Sequence, residues 1–249
     1  MKLKLISKHK LEDLSMKAEK IEKVKKIINE FPIPRKWPIS FVFGLTAIVF
    51  FWSFAFISMA FFPGTYNPFV NWMSNLGNTE LNPEGAIFFN IGIIVAGASL
   101  FPFFIGLYEW YIGGKRNKRL TMLTQLAGFY CSFAMIMCGV YPENYFLIHI
   151  FWAMSLFIIS VFTFLFPSIA LYKYKFTRNV AKFGFSAAAI NLILWIFIVP
   201  IMEWATILLS FLFIGVIVYS MKKRIERLRF VRKQGIIIPS KKKRRKKKN

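Results

Sequence analysis

The sequence predicts an all-α protein, a polytopic bundle of six transmembrane helices with both termini cytoplasmic. Three observations carry that prediction. The chain of 249 residues is 56% hydrophobic and holds thirty phenylalanines, which excludes an ordinary soluble domain. Its charged residues are segregated: Asp, Glu, Lys and Arg are absent from 37–79, 85–108, 120–142, 144–172, 183–202 and 204–221, with His149 counted as neutral. Each run is at or near the roughly 20 residues a helix needs to cross hydrocarbon. Lysine and arginine then alternate from loop to loop. Eleven of the 34 precede the first run, four lie at 115–119, four at 173–182 and fifteen after 221, while 63–85, 141–145 and 200–203 hold none. Positive charge stays inside, so the chain is expected in the cell membrane with both ends in the cytoplasm.

Residues 1–36 form the first region. Leu11, Leu14, Ala18, Ile21, Val24 and Ile28 recur at helical spacing and predict a basic amphipathic helix. That helix packs on the protein's own loops or lies on the membrane with its lysines toward anionic headgroups. Pro32 and Pro34 end it, because proline removes a donor and clashes with the preceding turn. The 36 residues hold no apolar core or cleavage site of a signal peptide.

Residues 37–221 form the membrane domain, with spans expected at about 39–62, 86–111, 120–140, 146–172, 182–201 and 204–221. The last connection, at 200–204, is the tightest. Tryptophan and tyrosine gather toward span ends, at Trp37, Trp72, Tyr108, Trp110, Tyr111, Tyr141 and Tyr145, as an aromatic belt requires. Gly92 with Ala96 on span two, and Ser186 to Ala189 on span five, permit close helix approach. Pro102 and Pro167 are expected to kink spans two and four. Cys131 and Cys138 lie seven apart on one helix, about 10 Å along its axis, too far for a disulfide. No cysteine–histidine spacing predicts a metal, and no cofactor is expected.

Residues 222–249 form the last region. KKRIERLRFVRK extends span six as a basic helix, and KKKRRKKKN is a low-complexity polybasic tail. A topology anchor touching anionic lipid explains it. Nucleic acid is not expected, because no aromatic residue interleaves the charges to stack bases.

The polar residues of the membrane domain collect in WMSNLGNTELNPEGAIFFN, residues 72–90, between spans one and two. Asn82-Pro83-Glu84 is a helix start, with a capping asparagine, a first-turn proline and an acid at the positive helix end. PEGAIFFN before Asn90 and PENYFLIH before His149 share the pattern Pro-Glu-x5-polar, and span six opens more loosely with Pro200 and Glu203. Asn90 and His149 sit about two turns inside their helices, where a polar side chain needs a partner. That partner is either the other of the two or a ligand. Gln125 and Asn191 are further interior polar groups. No acid lies at mid-bilayer, and the one aspartate is Asp13, which argues against ion-coupled transport.

The order Ser74-Asn75-Leu76-Gly77, Asn82-Pro83, Phe89-Asn90-Ile91-Gly92, Gly97, Gly139 with Pro142, and His149 resembles the prokaryotic six-span membrane family known as domain-of-unknown-function family 998. It is more distantly similar to the DRAM and Sfk membrane proteins and to relatives acting in GPI-lipid remodelling. The resemblance covers about residues 40–220 and implies a six-helix fold and a connection to lipid. Asn75 stands where the family pattern has aspartate, which removes an acid or metal role from that position.

The leading expectation is a lipid-headgroup site near the outer leaflet made by Ser74, Asn75, Glu84, Asn90, Glu143 and His149. An amine or sugar headgroup suits the acids. The second is a lipid-modifying enzyme with Ser74 as nucleophile, His149 as base and Glu143 or Glu84 as orienting acid. The third is a structural protein that binds protein partners. Membrane lipids are the expected partners throughout.

Overall fold

The structure is a computed structural model. It describes residues 37–110, 114–194 and 196–233. The amphipathic N-terminal helix and the polybasic tail expected from the sequence lie outside those residues. The chain divides into two compact units: residues 36–223, and residues 1–35 together with 224–249. In the second unit only 224–233 is described, and it is the end of the last helix.

Five long helices and the greater part of a sixth lie in the first unit, with no strand among the described residues. They are α1 (Ile39–Ala60), α2 (Ala86–Gly106), α3 (Lys115–Val140), α4 (Phe146–Tyr172), α5 (Arg178–Leu194) and α6 (Pro200–Lys233). Short 3-10 helices lie at Met73–Gly77, Leu107–Trp110 and Glu143–Tyr145. Five helices are long and apolar enough to cross a membrane. The exception is α5, which has 17 residues, short of the roughly 20 that a crossing needs. The sequence places the end of this span at 201, but α5 stops at Leu194. Pro200 explains the difference. It opens α6, a position that suits its fixed backbone angle, and the residue before a proline is pushed out of helical conformation. The described residues 196–199 are therefore non-helical, and Glu203 sits in the first turn of α6.

Consecutive helices from α1 to α5 pack side by side, and α6 completes the bundle. The Phe211 ring stacks on Phe51 of α1 at 4.5 Å between centroids. Phe213 meets Phe164 of α4 edge-on at 5.4 Å and Phe183 of α5 at 6.2 Å. Small residues set the closest approaches. A side chain on Gly92 would strike Phe54 of α1, and Ala96, one turn on, is fully buried. Both α2 and α4 continue as helices through Pro102 and Pro167.

Interior polar groups bond between helices or back to their own backbone. Gln125 of α3 donates to the carbonyls of Phe104 and Ile105 at the end of α2, both at 3.1 Å. Asn191 of α5 donates to the Ser160 hydroxyl of α4 at 3.0 Å and accepts from the Thr206 hydroxyl of α6 at 3.0 Å. This network ties the shortest helix to both neighbours without a charge.

The bundle has two chemically distinct ends. Glu80, Glu84, Glu143 and Glu203 gather at the acidic end, with the connections 61–85, 141–145 and 196–199. Lysine and arginine gather at the basic end, with the connections 107–114 and 173–177.

Candidate functional site

The segment joining α1 to α2 folds back onto the acidic end instead of looping away from it. Met73 and Leu76 are fully buried, and Asn75 and Gly77 are buried beside them. A folded-back loop brings backbone donors and acceptors that water cannot reach, and each needs a partner. Glu203 of α6 supplies the first. Its carboxylate accepts the amide N–H of Met73 at 2.7 Å and that of Ser74 at 3.3 Å, and the Ser74 side chain also engages it. Two first-turn amides of a 3-10 helix thus meet a carboxylate, which suits their partial positive charge.

Glu143, entering α4, supplies the second anchor. It accepts the side-chain amides of Asn75 at 2.7 Å and Asn78 at 3.2 Å. Beside it the side-chain oxygen of Asn144 accepts the Thr79 amide at 2.8 Å. A third contact runs through Tyr66, whose hydroxyl donates to the Trp72 carbonyl at 2.7 Å and receives the Trp204 indole N–H at 3.1 Å. Burial pushes the Tyr66 phenol above its ordinary range, so it remains a neutral donor. The folded-back loop is thereby joined to the connection 141–145 and to the first turn of α6 in one clasp.

Asn82 closes the clasp from beneath. It is fully buried. Its amide nitrogen donates to the Ser58 carbonyl, the Ser58 hydroxyl and the Leu76 carbonyl at 3.0–3.2 Å, and its oxygen accepts the Gly85 amide at 3.2 Å. The helix-start motif therefore does two things, capping the turn into α2 and pinning α1 to the loop. Gly77 lies directly on α2, where a Cβ would collide with the Asn90 amide and the Phe89 ring.

Asn90 and His149 do not bond each other. Asn90 donates to the Gly77 carbonyl at 3.0 Å. His149 Nδ1 lies 2.8 Å from the Tyr141 carbonyl, and a carbonyl only accepts, so Nδ1 carries the proton. The repeated Pro-Glu-x5-polar pattern has a common structural meaning here. In both copies the polar residue lies about one turn into its helix, not the two turns that the sequence suggests, and bonds a backbone carbonyl of the segment that leads into that helix. The glutamates are not equivalent. Glu143 is half-buried and holds two asparagines, whereas Glu84 is exposed and stands outside the clasp. Among the described residues no hydrogen bond links Ser74, His149 and Glu143 to one another, and no three of His, Cys, Asp and Glu gather to hold a metal.

The sequence reading does not include Glu203, Tyr66, Trp204, Asn78 or Asn82 in the site. For Glu203 one signal exists: it belongs to the third Pro–Glu pair at the start of an even-numbered span.

The second feature is a cavity of about 90 Å³ at the centre of the bundle, lined by α1, α2, α3, α4 and α6. Phe51, Leu100, Phe103, Met135, Phe164 and Phe211 dominate its wall. Its hydroxyls are committed: Thr124, Ser160, Thr163 and Ser210 each donate to a carbonyl of their own helix. The wall therefore presents hydrocarbon.

No family model, curated protein or solved structure matches this chain.

Proposed function

We propose that this chain is a six-span integral protein of the cell membrane, with both termini cytoplasmic and the acidic end outside, that takes up a small apolar group, the end of one lipid hydrocarbon chain, in its central cavity. The cavity carries this reading. An apolar cavity of this order stays dry and takes up apolar ligands, and every hydroxyl on its wall is already satisfied. The alternation of basic loops supports the orientation. The six-span family that the motif residues resemble fits the same architecture. The acidic-end residues act as a clasp: Ser74, Asn75, Asn90, Glu143 and His149 bond the protein itself, which makes them a weaker fit for a headgroup or a catalytic triad.

The test is native mass spectrometry of protein purified gently from its own membranes. Ser210→Phe fills the cavity from α6, and Leu212→Phe places the same ring on the exposed side of that helix. Wild type and Leu212→Phe are expected to retain a lipid that Ser210→Phe loses. Equal retention by Ser210→Phe refutes the cavity as the binding site.

A further inference from the structure

The end of α5 and the turn after it carry no polar side chain among the described residues of 192–202. Leu192 and Ile193 are exposed on α5, and the exposure carries on into the turn. Ile196 and Ile198 are 75% and 79% exposed, and Phe197 and Val199 are exposed beside them. The connection 61–85 differs, with Asn67, Thr79, Glu80 and Glu84 among its exposed residues. The polar groups that bracket the turn face inward. Asn191 is fully buried, bonded to Ser160 and Thr206, and Glu203 is committed to the amides of Met73 and Ser74. The backbone of the turn asks little of water. The amides of Ile196 and Phe197 donate to the carbonyls of Ile193 and Leu194 at 3.1 and 3.0 Å, that of Met202 donates to the Val199 carbonyl at 3.0 Å, and Pro200 has no N–H to place.

Large apolar side chains gathered on a surface mark a contact with membrane or with protein. The length of α5 favours the membrane. From Lys182, its last charged residue, α5 advances only about 18 Å to Leu194, against a hydrocarbon core of about 30 Å. Started at the inner boundary, so short a helix ends within the outer leaflet, and a bilayer meets such mismatch by thinning or by drawing the flanking residues in. We infer that the turn 196–199 is seated in the outer leaflet, with Ile196, Phe197 and Ile198 among the acyl chains just beneath the headgroups instead of in water. Its partner is lipid hydrocarbon, and a turn without charge takes that hydrocarbon whatever the headgroup. This rests on the membrane orientation proposed above and adds the depth of the α5–α6 turn. The same depth explains why the folded-back loop reaches Glu203. A carboxylate three residues past Pro200 lies too deep for water to serve it, and a charge there needs donors from the protein. Met73 and Ser74 supply them.

The experiment attaches a thiol-reactive fluorophore to introduced cysteines of the full chain, at Ile198→Cys and, as a second site on the turn, at Phe197→Cys. The native Cys131 and Cys138 are buried, and wild type gives the background. Glu84→Cys, at an exposed position, reports water at the acidic end, and Leu208→Cys, on the exposed side of α6, reports the bilayer. Labelled protein is placed in phosphatidylcholine vesicles whose chains carry bromine near the headgroup, or in plain vesicles with iodide on both faces. Both turn positions are expected to be quenched by bromine as Leu208→Cys is, and to lose the iodide quenching seen at Glu84→Cys. Iodide quenching at both turn positions as strong as at Glu84→Cys, with Leu208→Cys still quenched by bromine, overturns this inference and leaves the membrane reading standing. Shielding of the turn from both quenchers also overturns it, because protein then covers the turn. Absence of bromine quenching at Leu208→Cys overturns both.

Discussion

Glu203 is the residue on which the clasp depends most, and its removal has a calculable cost. The carboxylate is buried, at 7% exposure, and its two backbone donors belong to Met73, fully buried, and Ser74, half-buried. Leaving a buried donor without a partner costs about 1–3 kcal/mol. Met73 bears that cost fully in Glu203→Ala, and Ser74 bears part of it because water reaches its side. The total is about 2–4 kcal/mol. Glu203→Gln keeps an acceptor oxygen and loses only the charge-assisted share, about 1–2 kcal/mol. At ~2–4 °C per kcal/mol for a chain of this length, the alanine variant melts about 4–16 °C lower and the glutamine variant about 2–8 °C lower. The protein carries its own reporter, since Cys131 and Cys138 are its two cysteines and both are buried. A dye that fluoresces on reaction with thiols follows unfolding of the detergent-solubilised protein. Glu84→Ala removes the same charge from the same end at an exposed position, and is expected to melt with wild type. If Glu203→Ala melts within about 1 °C of Glu84→Ala, a difference of a few tenths of a kcal/mol on that scale, the hydrogen bonds to Met73 and Ser74 do not hold the loop.

Four further outcomes follow by the same assay. Asn82→Ala strips partners from buried groups on three segments and is expected to cost about 3 kcal/mol. Asn191→Leu breaks bonds between packed helices, of a kind that average about 0.6 kcal/mol and reach about 1.7 in membrane proteins, so it should cost roughly a third as much; equal losses contradict the distinction. His149→Ala removes one bond to the Tyr141 carbonyl, and lowers stability by about 1 kcal/mol without changing the lipid retained in native mass spectrometry. Loss of the lipid in this variant refutes a purely structural histidine. Asn75→Asp sets a carboxylate against Glu143, and Glu143→Gln removes that opposition, so the double variant is expected to recover about 1–3 kcal/mol relative to the sum of the singles. Strict additivity counts against the Asn75–Glu143 bond.

The bundle was legible because exclusion of charge is written into every residue of a long apolar segment. The expected 146–172 coincides with α4, and α1 and α2 begin where the charge-free pattern places them. α3 starts at Lys115, five residues ahead of the expected 120, because a helix continues into its charged end where it leaves the apolar region. The α5–α6 boundary was misplaced because 183–202 is free of charge throughout and only Pro200 punctuates its end. The clasp was legible in part. Single residues announced that they needed partners, as Asn90 and His149 did, but not which partners. Glu203 lies 130 residues from Met73 along the chain, and no periodicity encodes that meeting. The cavity was illegible for a related reason: it is a gap left by side chains of five helices, and a gap has no residue of its own.

The asparagines of the folded-back loop follow from what such a loop lacks. Between Trp72 and Gly85 the backbone forms only short turns, so its amides and carbonyls must find side chains. An asparagine both accepts and donates, and each one here uses the two functions on different segments. Asn75 accepts the Trp72 amide at 2.8 Å and donates to Glu143. Asn78 accepts the amides of Glu80 and Leu81 and donates to the same carboxylate. Aspartate performs the first half of each task and fails the second, since its carboxylate meets Glu143 with like charge. The presence of asparagine at position 75 is therefore coupled to the acid opposite it. With Glu143 and Glu203 already spent on loop amides, a further acid at this end has no donor left to hold it, and asparagine is the residue that completes the clasp without adding charge.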